Sequence, residues 1–341
     1  MKAIIKSAPG PGGLELKEVP EKFPGPGEVK IKVAVCGICG TDLKILSGDI
    51  STPTPVVLGH EFSGTIEAIG PGVHHLHPGE RVTSETDCHF CGICFYCRTG
   101  DPQFCPQRKG IGTTVDGAFA QYVVVPASGV HKIPDDVDFK EGALFEPLAV
   151  ACHAVFERAH IRPDHKVVVI GVGAIGLLIS QLVKISGSRV VQIGLSRHEG
   201  RLELAKKWGI STLADDSPRI DLILKKLESH QGADFVFECS GDEDSFSLGV
   251  NLLKKGGTLV QVGFFHQPLP IDLNLVVNKE INIVSSRGKR PSSWFLALDL
   301  VERKAIDLEG IITHTFNFHN WEEGFKCAQK KGGVKVVITF V

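Results

Sequence analysis

The amino-acid sequence predicts an α/β protein in which a doubly wound parallel sheet is combined with a β-rich, partly open barrel. Two observations support this prediction. Residues 1 to about 150 contain short alternating segments separated by Gly- and Pro-rich connections, which is typical of an antiparallel β domain. From residue 166 onward, β-branched segments alternate with amphipathic helical segments, which is typical of a parallel sheet with helices on both faces.

The composition excludes several classes of protein. The chain has 341 residues, 43% of them hydrophobic, which is enough for two domains with substantial cores. Its formal net charge of −2 and its pI near 6.7 predict no broad basic surface for nucleic acid or an acidic membrane. The first six residues are too few and too charged for a signal peptide, and no run of about 18 apolar residues is present. We therefore expect a cytoplasmic protein with neither nucleic acid nor membrane as a partner.

The first chemically distinctive stretch combines three kinds of zinc ligand. It contains Cys-Gly-Ile-Cys-Gly-Thr-Asp, ending at Asp42, and Gly-His-Glu-Phe at residues 59–62. The thiol of Cys39, the imidazole of His60 and the carboxylate of Glu61 are ligand types that Zn²⁺ accepts. Thr41 offers a hydroxyl that can pass a proton, and Asp42 an acid that can orient a ligand. The alternative is that the cysteines belong to the core and His60-Glu61 forms a polar turn.

A second cysteine cluster follows, with the spacing Cys-x2-Cys-x2-Cys-x7-Cys. Four thiolates at this spacing can close a tetrahedron around a structural Zn²⁺ with no open position, and the ligands are Cys91, Cys94, Cys97 and Cys105. An iron–sulfur cluster would need three residues before its last cysteine rather than seven. A zinc knuckle for nucleic acid is disfavoured, because interleaved basic and aromatic residues are lacking. Ten cysteines without a secretory signal indicate metal binding before disulfides.

The parallel sheet begins with a dinucleotide fingerprint. Residues 166–170 form a continuous β-branched segment that leads into Gly-x-Gly-x-x-Gly and an amphipathic helix to Ser186. In this context the glycines let the backbone approach a pyrophosphate, and the helix N-terminus supplies amide donors. The candidate cofactor contacts are the turn and a set of later residues: Gly171, Gly173, Ala174, Ile175, Gly176, Gly194, Ser196, Arg197, Arg201, Val262, Ser285, Ser286 and Arg287.

The end of the second strand favours NADP over NAD. NAD-binding folds place an acid there, about 20 residues past the glycine turn, to bind the ribose 2′-hydroxyl. In this chain the position is Gly194, and Ser196 and Arg197 follow. A hydroxyl and a guanidinium can bind a 2′-phosphate. The alternative is that Arg197 is a solvated charge and Glu199 reaches the ribose.

Together these motifs resemble the zinc-dependent medium-chain alcohol dehydrogenase family over essentially the whole chain. The resemblance depends on residues 37–42, residues 59–61, the four-cysteine lobe, Glu146-Pro147-Leu148 and residues 171–176. It implies a GroES-like catalytic domain formed by residues 1–150 and 287–341, with a Rossmann-type domain at residues 151–286 inserted between. It also implies two zinc ions per chain and a homodimer or homotetramer.

The resemblance further implies the roles of the site residues. Cys39, His60 and Glu61 would bind the catalytic zinc, and Glu146 would act as a further ligand or through a water molecule. Zinc lowers the pKa of a secondary hydroxyl, and the substrate carbon then gives hydride to nicotinamide. Thr41 would pass the hydroxyl proton toward solvent, and Asp42 would fix the geometry of the ligands.

In carrying a glutamate at position 146, the chain resembles the sorbitol and polyol dehydrogenase branch of the family. We therefore expect a secondary alcohol or polyol as substrate. Threonine dehydrogenases tend to carry a histidine where Asp87 stands, and polyol enzymes usually carry one where Lys44 stands. A threonine or sugar-alcohol-phosphate dehydrogenase is the alternative, because Lys44, Arg287, Lys289 and Arg290 can pair with a carboxylate or phosphate. A non-catalytic nucleotide-binding protein is disfavoured, since every metal position keeps a suitable ligand.

Overall fold

The computed structural model describes residues 1–214, 216 and 219–340. It contains two compact units. The first comprises Met1–Glu146 with Ile312–Val341, and the second is Pro147–Ile311. The predicted combination of an antiparallel β-rich domain with a parallel-sheet α/β domain is confirmed. Among the described helices, none is long and apolar enough to cross a membrane.

The first unit is built mainly from strands. In chain order these are β1 (Lys2–Lys6), β2 (Leu14–Glu18), β3 (Glu28–Gly37), β4 (Val56–Val57), β5 (Glu61–Ile69), β6 (Arg81–Ser84), β7 (Asp87–His89), β8 (Lys109–Gly110), β9 (Tyr122–Pro126) and β10 (Val130–Lys132). Its helices are α1 (Gly40–Ser47), α2 (Phe95–Arg98), α3 (Phe139–Ala143) and the start of α4 (Phe145–Cys152).

The second unit alternates strands with helices. Its strands are β11 (Lys166–Ile170), β12 (Arg189–Gly194), β13 (Ser211–Ala214), β14 (Ala233–Glu238), β15 (Leu253–Gln261) and β16 (Asn282–Ser285). Its helices are the rest of α4, continued by a π-helical turn at His153–Arg158, and then α5 (Ala174–Ile185), α6 (Glu199–Lys207), α7 (Ile220–Lys226), α8 (Glu243–Leu252), α9 (Leu273–Asn278) and α10 (Pro291–Glu302).

The chain then returns to the first unit as β17 (Ile312–Asn317), α11 (Trp321–Gln329) and β18 (Lys335–Thr339). In the structure β18 pairs antiparallel with β3 and parallel with β17, within a sheet ordered β10-β6-β5-β3-β18-β17 to which β9 adds by pairing with β3. Helix α11 packs its apolar face on the same unit, where the Phe325 ring meets the Phe119 ring edge-on at 5.3 Å. The return segment therefore completes the barrel and its core.

The six strands that the structure describes in the second unit form one parallel sheet, ordered β13-β12-β11-β14-β15-β16. The order reverses between β11 and β14. In doubly wound sheets such a reversal opens a crevice at the carboxyl ends of the two strands, where ligands bind. The glycine turn follows β11 and lies at this edge. The fold thus places the predicted cofactor turn where the topology creates a binding crevice.

The return to the first unit lies later than the expected position, residue 287, because residues up to Ile311 belong to the second unit. Hydrogen bonds explain the difference. Gln181 on α5 donates to the carbonyl of Asp307 (3.1 Å) and accepts from its amide (2.8 Å), and the Trp208 indole donates to the Asp307 carboxylate at 2.7 Å. Helix α10 and the loop after it are therefore fastened to the parallel-sheet unit.

A buried lysine fixes the loop that supports α1. The side chain of Lys6 is almost fully buried, and its ammonium donates to the carbonyl oxygens of Ala8, Gly10 and Gly12, each at 2.6 Å. The amide of Gly12 in turn donates to the carbonyl of Leu46 in α1 at 2.8 Å. Three carbonyls in a fixed array satisfy a buried cation, so this loop is held against the helix that begins at the candidate zinc site.

Candidate zinc sites and dinucleotide crevice

The first candidate ligand, Cys39, is held by the start of helix α1. Cys39 is the N-cap of α1, with extended backbone, and its amide donates to the carboxylate of Asp42 at 2.9 Å. The amide of Asp42 donates back to the Cys39 carbonyl at 3.1 Å. An N-cap residue has non-helical backbone angles, so the start of α1 sets the backbone conformation at Cys39. The Cys-Gly-Thr-Asp sequence therefore fixes the backbone that carries the thiol.

The next two candidates, His60 and Glu61, lie where the chain enters β5. They follow Gly59, whose φ of +91° is accessible mainly to glycine. A Cβ at Gly59 would lie 2.8 Å from both the Cys36 sulfur and the Phe119 ring, so no side chain fits there. The glycine allows the tight approach that turns His60 and Glu61 toward Cys39.

These three side chains converge. One ligand atom each from Cys39, His60 and Glu61 lies within 4.8 Å of the other two. His60 and Glu61 are buried and Cys39 is partly buried. Glu146, at the end of the first unit and 5% exposed, lies close enough for its charge to act on His60. The residues that the sequence predicted as catalytic zinc ligands thus form one cluster.

Asp42 lies beside the imidazole of His60. Its Oδ1 atom lies 3.7 Å from Nδ1 of His60, and neither atom has a hydrogen-bond partner among the described residues. Asp42 is fully buried. Thr41, one residue earlier on α1, is partly exposed. An acid beside one imidazole nitrogen leaves the other nitrogen for a metal.

Sequence reasoning missed one residue of this cluster, Lys335. Its ammonium donates to both carboxylate oxygens of Glu61, at 2.8 and 2.6 Å, and lies 3.4 Å from the carbonyl of Ile38. The side chains of Lys335 and Glu61 are only 6% and 2% exposed. Lys335 begins β18, 274 residues beyond Glu61 in the chain. The pairing of β18 with β3 brings the lysine to the site, and no local sequence pattern signals it.

The electrostatics of the cluster indicate an excess of negative charge. Burial lowers the pKa of His60, but Asp42 and Cys39 outweigh this effect and raise the pKa to about 10. Burial raises the pKa of Asp42 to about 6. The pKa of Lys335 is also raised, because Glu61 and Cys39 outweigh the effect of its burial. Both basic groups therefore lie among buried acids, and the site favours an additional cation.

The second cysteine cluster has the geometry of a closed metal site. The four sulfur atoms of Cys91, Cys94, Cys97 and Cys105 lie within 4.8 Å of one another. Backbone amides point at three of the sulfurs: Cys91 to Cys105 at 3.4 Å, Cys94 to Cys91 at 3.3 Å and Cys97 to Cys94 at 3.5 Å. Amide donors stabilise thiolates, the form that binds metal, and those of residues 93 and 94 lower the pKa of Cys91 to about 6.

From the sequence we expect four cysteines that are not candidate metal ligands, Cys36, Cys152, Cys239 and Cys327, to be buried thiols. Cys36 and Cys152 are buried. Cys239 and Cys327 are only partly buried, which corrects the expectation for these two. Each of the four has a free thiol in the structure.

The glycine turn has the backbone that the fingerprint predicts. Gly171 has φ of +107°, and a Cβ there would lie 3.0 Å from the amide nitrogen of Ser240. Gly173 is the N-cap of α5, and a Cβ at Gly173 would contact nothing within 4 Å. Gly176 packs against the carbonyl of Gly171, where a side chain would collide. The middle glycine therefore borders open space at the N-terminus of α5, with Ala174 and Ile175 in its first turn.

The other candidate cofactor contacts lie near the carboxyl edge of the parallel sheet. Gly194 ends β12, and a Cβ there would lie 2.9 Å from Val172. Ser196 and Arg197 form the turn after it, and Arg201 is half-buried on α6. The amide of Ser196 donates to the Asp216 carboxylate at 3.0 Å, a nearby acid that sequence reasoning did not identify.

On the other side of the edge are Val262, Ser285, Ser286 and Arg287. Val262 follows β15, and its amide donates to the carbonyl of Glu238 at 2.9 Å. Ser285 ends β16, and its carbonyl accepts from the guanidinium of Arg158 at 2.9 Å. The hydroxyl of Ser286 is buried without a hydrogen-bond partner among the described residues, and Arg287 follows it in the chain.

Comparison with known proteins agrees with this architecture. Residues 25–135 match the family model described as the alcohol dehydrogenase GroES-like domain, and residues 174–303 match the model described as zinc-binding dehydrogenase. The chain is 39% identical over 342 residues to a sorbitol dehydrogenase of Halalkalibacterium halodurans, with 99% of both chains covered. It is 34% identical to a D-arabitol-phosphate dehydrogenase of Enterococcus avium, covering 99% of this chain and 97% of that one. It is also 34% identical to an L-threonine 3-dehydrogenase of Rhizobium etli, covering 100% of this chain and 99% of that one.

Solved structures show the same fold. A putative zinc-binding dehydrogenase from Sinorhizobium meliloti, bound to NADP, is similar with a TM-score of 0.90 and 30% identity, with 99% of both chains covered. A protein described as a short chain alcohol dehydrogenase from Escherichia coli, complexed with NADH, has a TM-score of 0.89 and 30% identity, covering 100% of this chain and 99% of that one. With the sequence relatives, these structures show that the chain belongs to the zinc-dependent medium-chain alcohol dehydrogenase family, in its polyol dehydrogenase branch.

Proposed function

We propose that this chain, an oxidoreductase that acts on CH–OH groups, transfers hydride between a nicotinamide cofactor and a secondary alcohol or polyol at a catalytic zinc held by Cys39, His60 and Glu61. The observation that carries the proposal is the convergence of these three ligand atoms within 4.8 Å, in a buried cluster with an excess of acids. A polyol panel tests it, with the absorbance of reduced nicotinamide as the readout.

The residues present fit a zinc ion. They supply sulfur, nitrogen and oxygen ligands, and three protein ligands leave a fourth position open, as a catalytic zinc requires. The unsatisfied Nδ1 of His60 and Oδ1 of Asp42 have the arrangement in which an acid fixes the imidazole for metal binding. When bound, zinc acts as a Lewis acid that lowers the pKa of the substrate hydroxyl.

The chain's own residues supply positioning and proton movement. Asp42 orients His60 and, through the Cys39 amide, the start of α1. Thr41 is partly exposed, as required of a hydroxyl that passes the substrate proton toward solvent. Glu146 is buried, and we assign it to tune the metal through a water molecule or as a further ligand. Glu61 is paired with Lys335, so Lys335 would offset part of the charge of this proposed ligand.

We assign a second, structural zinc to the lobe of Cys91, Cys94, Cys97 and Cys105. The supporting observations are the four converging sulfurs and the three amide–sulfur contacts among them. Because all four ligands come from protein, this ion would contribute folding free energy rather than chemistry. Metal analysis of purified protein should give two zinc ions per chain, and one zinc or iron–sulfur absorption would contradict the assignment.

For the cofactor we favour NADP over NAD. The position of the usual ribose-binding acid is Gly194, and the hydroxyl of Ser196 and the guanidinium of Arg197 follow it. The Asp216 carboxylate accepts from the Ser196 amide and opposes this preference, because it brings a negative charge near the place proposed for a 2′-phosphate. The similar structures include one bound to NADP and one complexed with NADH.

The test of cofactor preference compares kcat/KM for NADP and NAD in wild type and in Arg197→Ala. We expect wild type to prefer NADP, and the substitution to reduce that preference by about tenfold or more, since the guanidinium makes charge-assisted hydrogen bonds to phosphate. A wild-type preference for NAD, or an unchanged ratio in the variant, would contradict this assignment.

For the substrate we favour a polyol over threonine or a sugar-alcohol phosphate. Asp87, where threonine dehydrogenases tend to carry histidine, forms an ion pair with Arg108. One relative acts on sorbitol by its name and another on arabitol phosphate. Of the four basic candidates for a phosphate, Lys44 lies in the first unit, on α1, and burial lowers its pKa. Mixing the enzyme with sorbitol, threonine and a hexitol phosphate separates the three candidates directly.

We also propose a cytoplasmic homodimer or homotetramer. All ten cysteines are free thiols, and the cysteine-rich lobe needs a reducing compartment to keep its ligands as thiolates. Size-exclusion chromatography with light scattering would test the oligomeric state, and a monomer at micromolar concentration would contradict it.

A further inference from the structure

A fully buried carboxylate lies at the crevice edge of the parallel sheet and was not identified from the sequence. Glu238 is the last residue of β14 and has no solvent exposure. β14 is the neighbour of β11 across the reversal in strand order. The glycine turn and the ribose-binding position both belong to the half of the sheet formed by β11 to β13. The nicotinamide end of a dinucleotide is therefore expected over the other half of the sheet, which begins with β14.

The hydrogen bonds of Glu238 fit the ionised form. Its Oε1 atom accepts from the amide of Ser240 at 2.7 Å, from the Ser240 hydroxyl, and from the amide of Gly241 at 3.0 Å. Its Oε2 atom accepts from the side-chain amide of Gln261 at 2.6 Å. Both oxygens therefore face donors, and a proton on either would oppose one of them. Because each of these donors is neutral, the negative charge is solvated by dipoles, and none of the described residues places a cation on it.

The same carboxylate fixes the backbone that borders the crevice. The Glu238 carboxylate binds Ser240 and Gly241 after β14, and it also binds the side chain of Gln261 at the end of β15. The side-chain amide of Gln261 donates in addition to the carbonyl of Gly263 at 2.7 Å. A Cβ at Gly263 would lie 2.6 Å from the Oε2 atom, so this approach needs glycine. The loop after β14 also packs on the glycine turn, since a Cβ at Gly171 would lie 3.0 Å from the Ser240 amide.

We propose that Glu238 is a positioning residue for the nicotinamide end of the cofactor and that its charge favours binding of the oxidised form. The proposal rests on the proposed cofactor function. The oxidised nicotinamide ring carries a positive charge that is lost when hydride is added. A buried anion on the nicotinamide half of the crevice attracts the charged ring and leaves the neutral ring unaffected. At an effective dielectric of about 20, unit charges roughly 10 Å apart attract by an energy that corresponds to about tenfold in affinity.

The test measures the dissociation constants of the oxidised and reduced cofactor separately, by calorimetry or quenching of tryptophan fluorescence, with zinc-loaded protein and no substrate. In Glu238→Gln we expect the affinity for the oxidised form to fall about tenfold more than that for the reduced form. Gln261→Met is the matched control, because it removes one neutral donor to the carboxylate and keeps the charge. It should change both affinities by the same factor.

If Glu238→Gln does not fold, the same dissociation constants are measured for Gln261→Lys, since a lysine there keeps a donor to Glu238 and cancels its charge. We expect the same selective loss of the oxidised form. Equal losses of both forms in whichever charge-cancelling variant folds would overturn the proposal and leave Glu238 a structural residue. Failure of the proposed function is a different result, in which wild-type protein binds neither nicotinamide dinucleotide in either redox state.

Discussion

Replacing Lys335 by Met should destabilise the zinc-free protein strongly and the zinc-loaded protein much less. Lys335 makes two hydrogen bonds to Glu61, and both side chains are almost fully buried. Methionine has a similar length and no branch, so the loss of packing is small. The substitution leaves the Glu61 carboxylate buried without its cation. Breaking a buried ion pair in this way costs about 3–5 kcal/mol, a cost expected in full in the absence of zinc.

With zinc bound, the metal itself offsets the charge of Glu61, which we propose as one of its ligands. We therefore expect zinc to recover more than half of the stability lost in Lys335→Met. The assay is urea unfolding of wild type and variant, each with zinc and after chelation. Loss of the structural zinc on chelation affects both proteins alike and cancels in the comparison.

Two further variants make the reasoning falsifiable. Lys326→Met, on the exposed face of α11, is the control for removing a lysine and should change stability by no more than about 0.5 kcal/mol. Glu61→Gln combined with Lys335→Met removes both charges, and without zinc it should be more stable than Lys335→Met alone. Equal destabilisation of Lys335→Met with and without zinc, or a double variant that is less stable than the single one, would refute the account of this pair.

Three other predictions concern the loop under α1 and the two metal sites. Lys6→Met should lower the free energy of unfolding by about 2–4 kcal/mol in urea titrations, because it leaves three carbonyls without their donor, and a change below about 0.5 kcal/mol would show that the buried ammonium is not needed. Cys39→Ser should abolish turnover with little change in thermal stability, whereas Cys94→Ser should unfold or destabilise the protein, since a closed four-thiolate site contributes folding free energy; the reverse pattern would exchange the two roles. Glu61→Gln should weaken zinc retention during dialysis against a chelator, and Glu146→Gln should mainly lower kcat, so that negligible effects of both would count against their assignment to one metal.

The convergence of the candidate metal ligands was largely predictable from the sequence, because they occur in short motifs. The thiol, imidazole and carboxylate of the first cluster occur in two motifs about twenty residues apart, and the structure brings them within 4.8 Å. The four-cysteine lobe and the glycine turn are local in the chain, so spacing alone determined their geometry. Helix α10, Pro291–Glu302, is also encoded locally, because Pro at its first turn and an apolar pattern mark it.

Features that depend on distant parts of the chain were not predictable in this way. Lys335 reaches Glu61 only through the pairing of β18 with β3. In the sequence, nothing distinguishes Glu238 from the last residue of an ordinary strand. The later boundary of the second unit has the same origin, since Asp307 is held by Gln181 and Trp208 from earlier helices. In each case a tertiary hydrogen bond decides the outcome, and periodicity contains no information about it.

The central claim, a zinc-dependent polyol dehydrogenase, is tested most directly by following reduced nicotinamide absorbance in one protein sample before and after removal and return of zinc. The sample is mixed with sorbitol and either NADP or NAD. We expect absorbance to rise with the metal present, to stay flat after chelation, and to recover when zinc is restored. A rate that is unaffected by chelation, or zinc-loaded protein that oxidises threonine and no polyol, would contradict the account.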